Sequence, residues 1–217
     1  MTRRTSRLAR GLLRCALDWK ALFIVRNYGM LNEYGWWDSY KKKSAVDGVG
    51  QPIPWITYPC LEFIDNRVEK RFEVFEYGCG NSTLWWASRT NSVISCEHDR
   101  AWFEKTLSNM PDNTTLIYRD LVYGGEYSKV IEGYSEQFDI LVVDGRDRVR
   151  CIQNSLNALK SDGIIIWDNT EREEYLEGFK FLDAAGFRRL DFWGIGPIGI
   201  SKWCTTVFYR KNNCFNI

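Results

Sequence analysis

Val74-Phe75-Glu76-Tyr77-Gly78-Cys79-Gly80-Asn81-Ser82-Thr83 decides how this chain of 217 residues folds. A short apolar run ends in a carboxylate, and a Gly-x-Gly turn with small polar residues follows at once. That order describes a buried strand passing into a helix through a turn whose glycines let a ligand approach the backbone. A second apolar run, Ser92-Val93-Ile94-Ser95-Cys96-Glu97, ends in another carboxylate nineteen residues beyond Gly78. Two neighbouring parallel strands that present a glycine turn and an acid form a nucleoside pocket, with the second acid accepting hydrogen bonds from ribose hydroxyls.

The pattern continues downstream. Strands are expected at 72–76, 92–97, 114–119, 138–143 and 163–167, and helices near 59–68, 82–89, 100–108, 127–133, 149–160 and 173–185. Ile140-Leu141-Val142-Val143 and Ile164-Ile165-Ile166-Trp167 lack polar alternation, as strands buried on both faces do. Alternating βα units imply a parallel sheet wound on both sides. The end differs. Phe187 to Trp193 and Cys204 to Arg210 read as strands joined by the glycine-rich loop Gly194–Gly199 with no helix between them, so they pair antiparallel. Residues 51–217 are expected to form this domain and residues 1–50 a helical extension ending in a polar loop that holds Lys41-Lys42-Lys43.

Twenty-nine basic against 28 acidic residues leave the chain near neutrality, so its overall field does not point to nucleic acid. Seven scattered cysteines, odd in number and without a Cys-x-x-Cys pair, argue against a disulfide framework and a zinc site and suit a cytoplasmic setting. The N-terminus is locally basic. On a helix, Arg3, Arg7, Arg10, Arg14 and Asp18 line one face, while Leu8, Leu12, Cys15, Trp19 and Phe23 line the other. The run Ala21–Val25 is too short to span a membrane. Two readings of residues 1–26 fit: a helix docked on the domain, or peripheral attachment to an anionic membrane.

Over roughly residues 50–217 the chain resembles the class I S-adenosylmethionine-dependent methyltransferases. The resemblance rests on Glu76-Tyr77-Gly78-Cys79-Gly80 after the first strand, Glu97-His98-Asp99 after the second, Asp144-Gly145 after the fourth, and the antiparallel ending. Within that superfamily it is similar to a bacterial group whose fourth motif reads as Asp144-Gly145-Arg146-Asp147-Arg148 does here. The resemblance implies a doubly wound Rossmann-like α/β fold with a seven-stranded, mostly parallel sheet closed by a C-terminal hairpin. It implies S-adenosylmethionine as cofactor: Gly78 and Gly80 beside its methionine part, Glu76 toward its ammonium, Glu97 on the ribose hydroxyls, and Asp120 near adenine. Asn81 and Ser82 open the next helix as caps and ligand contacts. His98, the only histidine, falls on the cofactor side, where a structural role is the plainer reading.

Asp144 and Asp168 end the strands that face the reacting methyl group. Asp144, Asp168 and Asn169 also resemble, in order and approximate spacing, the metal ligands of cation-dependent O-methyltransferases, which would suit Mg²⁺ or another divalent cation. The glycine turn departs from that subgroup's usual form. In the rival reading Asp144 touches the cofactor and Asp168 is the base. Arg146 could fork onto an acceptor carboxylate or phosphate, or pair with Asp147. Trp167 and Trp193 are expected to wall the acceptor side, which suits a small-molecule or glycan hydroxyl. Two other functions remain open. One is a nucleotide-binding oxidoreductase, against which Thr83 stands where a third glycine or alanine belongs. The other is a non-catalytic Rossmann-like binding protein.

Overall fold

The apolar runs become the strands of one seven-stranded sheet: β1 (Glu73–Tyr77), β2 (Ser92–Glu97), β3 (Thr114–Tyr118), β4 (Phe138–Val143), β5 (Leu159–Asp168), β6 (Arg188–Gly194) and β7 (Trp203–Tyr209). The computed structural model describes residues 18–217, so the expected Arg3-to-Arg14 face and its partners Leu8, Leu12 and Cys15 lie outside the described residues. The strand order is β3-β2-β1-β4-β5-β7-β6. The first five run parallel, and β7 pairs antiparallel with both β5 and β6. Successive residues of a strand point to opposite faces. Val74, Val142, Ile166 and Val207 therefore join one apolar layer with α4 (Tyr58–Asp65) and α5 (Asn81–Arg89). Phe75, Val143, Ile165, Trp167 and Phe208 join the other, with α8 (Arg148–Gln153) and α9 (Leu176–Ala184). The chain winds from β1 outward through β2 to β3, then returns to add β4 on the opposite side. That reversal opens a crevice at the carboxyl ends of β1 and β4.

The remaining helices are α1 over 18–28, α2 (Met30–Glu33), α3 (Trp36–Lys42), α6 (Arg100–Leu107) and α7 (Glu126–Lys129). Two expectations need correction. Lys41 and Lys42 end a helix rather than lie in a loop, and Lys43 closes it in a left-handed conformation with φ of 53°. Residues 149–160 are helical only to Gln153, because the Ser155 hydroxyl bonds back to the Ile152 carbonyl at 2.8 Å and closes the turn. Leu156, Ala158 and Leu159 mimic helical spacing, but Leu159 begins β5 opposite Phe138. The segment between α3 and α4 contributes Ala45, Ile53 and Ile56 to the same layer as Trp36.

Candidate active site

At the glycine turn, Gly78 and Gly80 take φ values of 102° and 152°, where a side chain would be strained. The buried Glu76 stands one residue before the end of β1. Its Oε2 accepts from the Thr83 hydroxyl at 2.6 Å and from Ser95 at 3.0 Å. Thr83 Oγ1 also accepts the Gly80 N–H at 3.0 Å, so this side chain fixes both the acid and the turn. Glu97, at the end of β2, accepts the backbone N–H groups of His98 and Asp99 at 2.7 Å each and of Cys79 at 3.2 Å. Together Glu76, Gly78, Cys79, Ser82, Glu97, His98, Asp144, Gly145 and Arg146 line a cavity of about 230 Å³. Trp102 closes over the turn, donating its indole N–H to the Cys79 carbonyl at 2.7 Å.

Burial pushes the Glu76 carboxyl up to about 7 against the lowering by the hydroxyls of Ser82, Thr83 and Ser95, and nearby Asp144 raises it further. The Thr83 and Ser95 hydroxyls both fall on Oε2, and the carboxyl lines the cavity, where it is a fitting partner for an ammonium group. His98 Nδ1 sits 3.0 Å from Glu97 Oε1 but is not aligned for a hydrogen bond, and it is buried without another partner. These features fit the methionine and ribose ends of S-adenosylmethionine.

A second cavity of about 550 Å³ lies on the other side of Asp144, lined by Trp55, Asp144, Asp168, Asn169, Gly199, Ile200, Ser201 and Trp203. Asp168 ends β5 opposite Thr205. Its Oδ1 accepts from the Thr205 hydroxyl and from the Trp203 indole at 2.9 Å. Arg148, buried at the start of α8, donates to Asp144 Oδ1 at 3.0 Å, to the Asp144 and Gly145 carbonyls at 2.9 Å each, and to the Asp168 carbonyl. Burial, then the charge of Asp144, raises the Asp168 carboxyl to about 7, while Thr205, Arg148 and Trp203 pull it down. Burial raises Asp144 as well, against Arg148, although its side chain keeps 32% of its exposure where the two cavities meet. The two acids titrate as a pair, both raised by burial, with the Arg148 guanidinium bonded to Asp144 and drawing both down.

The structure brings Asp144, Asp168 and Asn169 to one cavity, but their oxygens do not suit a divalent cation. Asp144 Oδ1 and Asn169 Oδ1 each accept from a guanidinium, of Arg148 at 3.0 Å and Arg172 at 3.3 Å, and Asp168 Oδ1 has two donors. A cation there would face the fixed charge of Arg148. Among the described residues no group of three His, Cys, Asp or Glu side chains converges as a metal site.

Other expected site residues lie elsewhere. Trp167 is wholly buried on the opposite sheet face from Asp168, against Tyr175, Phe179 and Phe208 at centroid distances of 5.2, 5.4 and 6.0 Å. Gly178 makes room for it, since a Cβ there would come 2.4 Å from the indole. Trp193 is exposed on the edge strand β6 and does not line the cavity around Asp168. Trp55 and Trp203 supply the aromatic walls instead. Asn81 caps nothing, and its amide reaches Ser44 at 3.0 Å and the Ala45 carbonyl at 2.6 Å. Arg146 lines the glycine-turn cavity and a third cavity of about 490 Å³ shared with Arg150 and Arg172, not the one around Asp168. Asp120 is exposed beyond β3, hydrogen-bonded by Tyr118 at 2.5 Å.

The two raised carboxyls have a consequence for stability. Each folded-state pKa lies above its unfolded value, so between about pH 4 and 7 the folded protein binds more protons and loses stability as pH rises. The ligand-free protein is therefore expected to melt higher near pH 5.5 than near pH 8. A Glu76→Gln/Asp168→Asn variant is expected to flatten that difference in thermal melts, and an unchanged pH slope would show that neither carboxyl is responsible.

Residues 75–170 match the family of methyltransferase domains. The ribosomal protein L11 methyltransferase of Helicobacter pylori is 30% identical over 135 residues, which cover 57% of this chain and only 40% of that protein. Among solved structures, an rRNA methylase from Streptococcus thermophilus superposes with a TM-score of 0.54 at 17% identity, covering 73% of this chain and 100% of that one. A methyltransferase from Geobacter sulfurreducens gives 0.51 at 19% identity over 73% and 82% of the two chains. A precorrin 8w decarboxylase from Methanobacterium thermoautotrophicum gives 0.54 at 20% over 78% and 97%. At these identities the superpositions speak for the fold. The matched segment begins on β1 and ends just past Asp168, so it spans the glycine turn, Glu97, Asp144 and the acid pair. On these grounds residues 75–170 match a methyltransferase domain, in keeping with the resemblance of the wider chain to the class I S-adenosylmethionine-dependent methyltransferases.

Proposed function

We propose that this protein is an S-adenosylmethionine-dependent methyltransferase that methylates a hydroxyl oxygen on a small-molecule or glycan acceptor. The observation that carries the reading is that Asp144 lines both cavities, one with Glu76, Gly78 and Glu97 and the other with Asp168. A donor and an acceptor held in these two spaces meet at its carboxylate.

When bound, the cofactor supplies a methyl group already activated on a sulfonium. The chain's residues need only position the acceptor and accept its proton. Glu76 and Glu97 would hold the ammonium and ribose. Asp168 Oδ2, the oxygen left free by Trp203 and Thr205, takes the proton of the acceptor hydroxyl, and a pKa of about 7 suits a base at neutral pH. Arg148 sets a positive charge against Asp144 beside the site of transfer. Trp55 and Trp203 offer apolar faces with polar groups between them, which favours a sugar or phenol ring.

Calorimetry tests the donor half. S-adenosylmethionine and S-adenosylhomocysteine are expected to bind with micromolar affinity and NAD⁺ not at all. Binding of NAD⁺ alone would transfer the site to the oxidoreductase reading, and binding of none would leave a non-catalytic fold. Glu97→Ala is expected to weaken cofactor binding by about 1–3 kcal/mol, because ribose hydroxyls in a closed site would lose a charged acceptor.

A further inference from the structure

We propose that α1 docks this protein on an anionic lipid surface. Every residue from 18 to 28 is exposed. Yet Leu22, Phe23, Ile24 and Val25 are consecutive, and at 100° per residue they face nearly all round the helix. A turn of helix apolar on nearly every side and flanked by Lys20 and Arg26 belongs at a boundary between apolar and polar media. Here Leu22 is 60% and Phe23 59% exposed, so the described fold leaves that demand unmet.

The surrounding chemistry selects lipid over protein. Trp19 and Tyr28, 73% and 79% exposed, bracket the apolar run as amphipathic rings do at a headgroup boundary. Residues 1–26 carry seven basic side chains against a single acid, Asp18, which complements anionic headgroups. A second copy of the chain would bring that same charge against itself. The apolar run Ala21–Val25 falls far short of the roughly 20 apolar residues that a span requires, so it is suited to the interface. No helix among the described residues is long and apolar enough to span a membrane.

The docked helix adjoins the acceptor side. Arg26, near its end, stands 5.6 Å from the Trp37 ring, and neighbouring Trp36 donates its indole N–H at 2.8 Å to the Gly199 carbonyl in the loop that lines the acceptor cavity. Ile200 of that loop is 78% exposed.

Co-sedimentation of the full chain with vesicles tests the proposal without any turnover. Vesicles of phosphatidylglycerol and phosphatidylcholine are expected to pellet the protein, vesicles of phosphatidylcholine alone to do so poorly, and added salt to reduce the binding. The variant Leu22→Glu/Phe23→Glu/Ile24→Glu is expected to bind the anionic vesicles at least about tenfold more weakly while keeping its affinity for S-adenosylmethionine, which reports an intact domain. Failure of the full chain to bind anionic vesicles, or equal binding by the variant, would overturn the proposal. So would light scattering that shows a lipid-free dimer broken by the variant, since a second copy would then cover the helix. A protein that binds vesicles but no cofactor would sink the methyl-transfer reading alone.

Discussion

Replacing Asp168 with asparagine is expected to lower kcat by about 10²–10⁴-fold while leaving the affinity for S-adenosylmethionine nearly unchanged. Asparagine keeps an oxygen for the Trp203 indole and the Thr205 hydroxyl, so the wall of the acceptor cavity stays in place. What it loses is the capacity to take a proton. The wild-type rate should rise with pH through about 7 and then level, as Asp168 deprotonates. In the variant that limb should vanish from the kcat profile. A variant that retains both the rate and the limb would remove Asp168 from the chemistry. Loss of cofactor affinity would mean that the donor and acceptor spaces have been assigned the wrong way round.

Arg148→Ala is expected to cost about 3 kcal/mol of folding stability, the lower end for breaking a buried ion pair, because Asp144 retains a third of its exposure. For a domain of this size that is a fall of about 6–12 °C in Tm. The guanidinium serves two carbonyls at the end of β4, the carbonyl that ends β5, and the Asp144 carboxylate. Its loss takes the donor from four acceptors and the nearest positive charge from both carboxyls. Arg148→Lys should recover little, since a single ammonium cannot fork across these positions. Adding Asp144→Asn to Arg148→Ala should recover part of the loss in chemical denaturation, because it removes the stranded charge. A single-variant loss under about 1 kcal/mol would show that the guanidinium is dispensable to the fold.

The sheet was readable because its central strands are buried on both sides and therefore spelled as unbroken apolar runs. Ser92–Glu97 and Phe138–Val143 begin and end where their sequences suggest. The acids at the strand ends were readable for a related reason, since Glu76, Glu97, Asp144 and Asp168 each interrupt such a run at the sheet edge where a crevice forms. Less visible was whatever depends on how distant segments meet. Trp203 and Thr205 reach Asp168 only through the antiparallel register of β7 on β5, which no local pattern states. Trp55 comes from a proline-punctuated loop before the first strand. Arg148 looked like one basic residue among several, and only burial separates it from Arg146 and Arg150. Trp167 misled because it directly precedes Asp168, and in a strand that adjacency sends its side chain to the opposite face.

The tie from the Asn81 amide to Ser44 and Ala45 joins two parts of the molecule that the sequence keeps far apart. One end is the first residue of the helix behind the glycine turn. The other lies in the stretch that follows α3, whose Trp37 meets the end of α1. A force on the N-terminal helix thus has a short mechanical route to the place where the methyl donor would sit. Two binding equilibria joined in this way obey reciprocity: if lipid changes the affinity for the donor by some factor, the donor changes the affinity for lipid by the same factor. An amide on a turn would then make the chain a coincidence detector, most strongly assembled when surface and donor are present together.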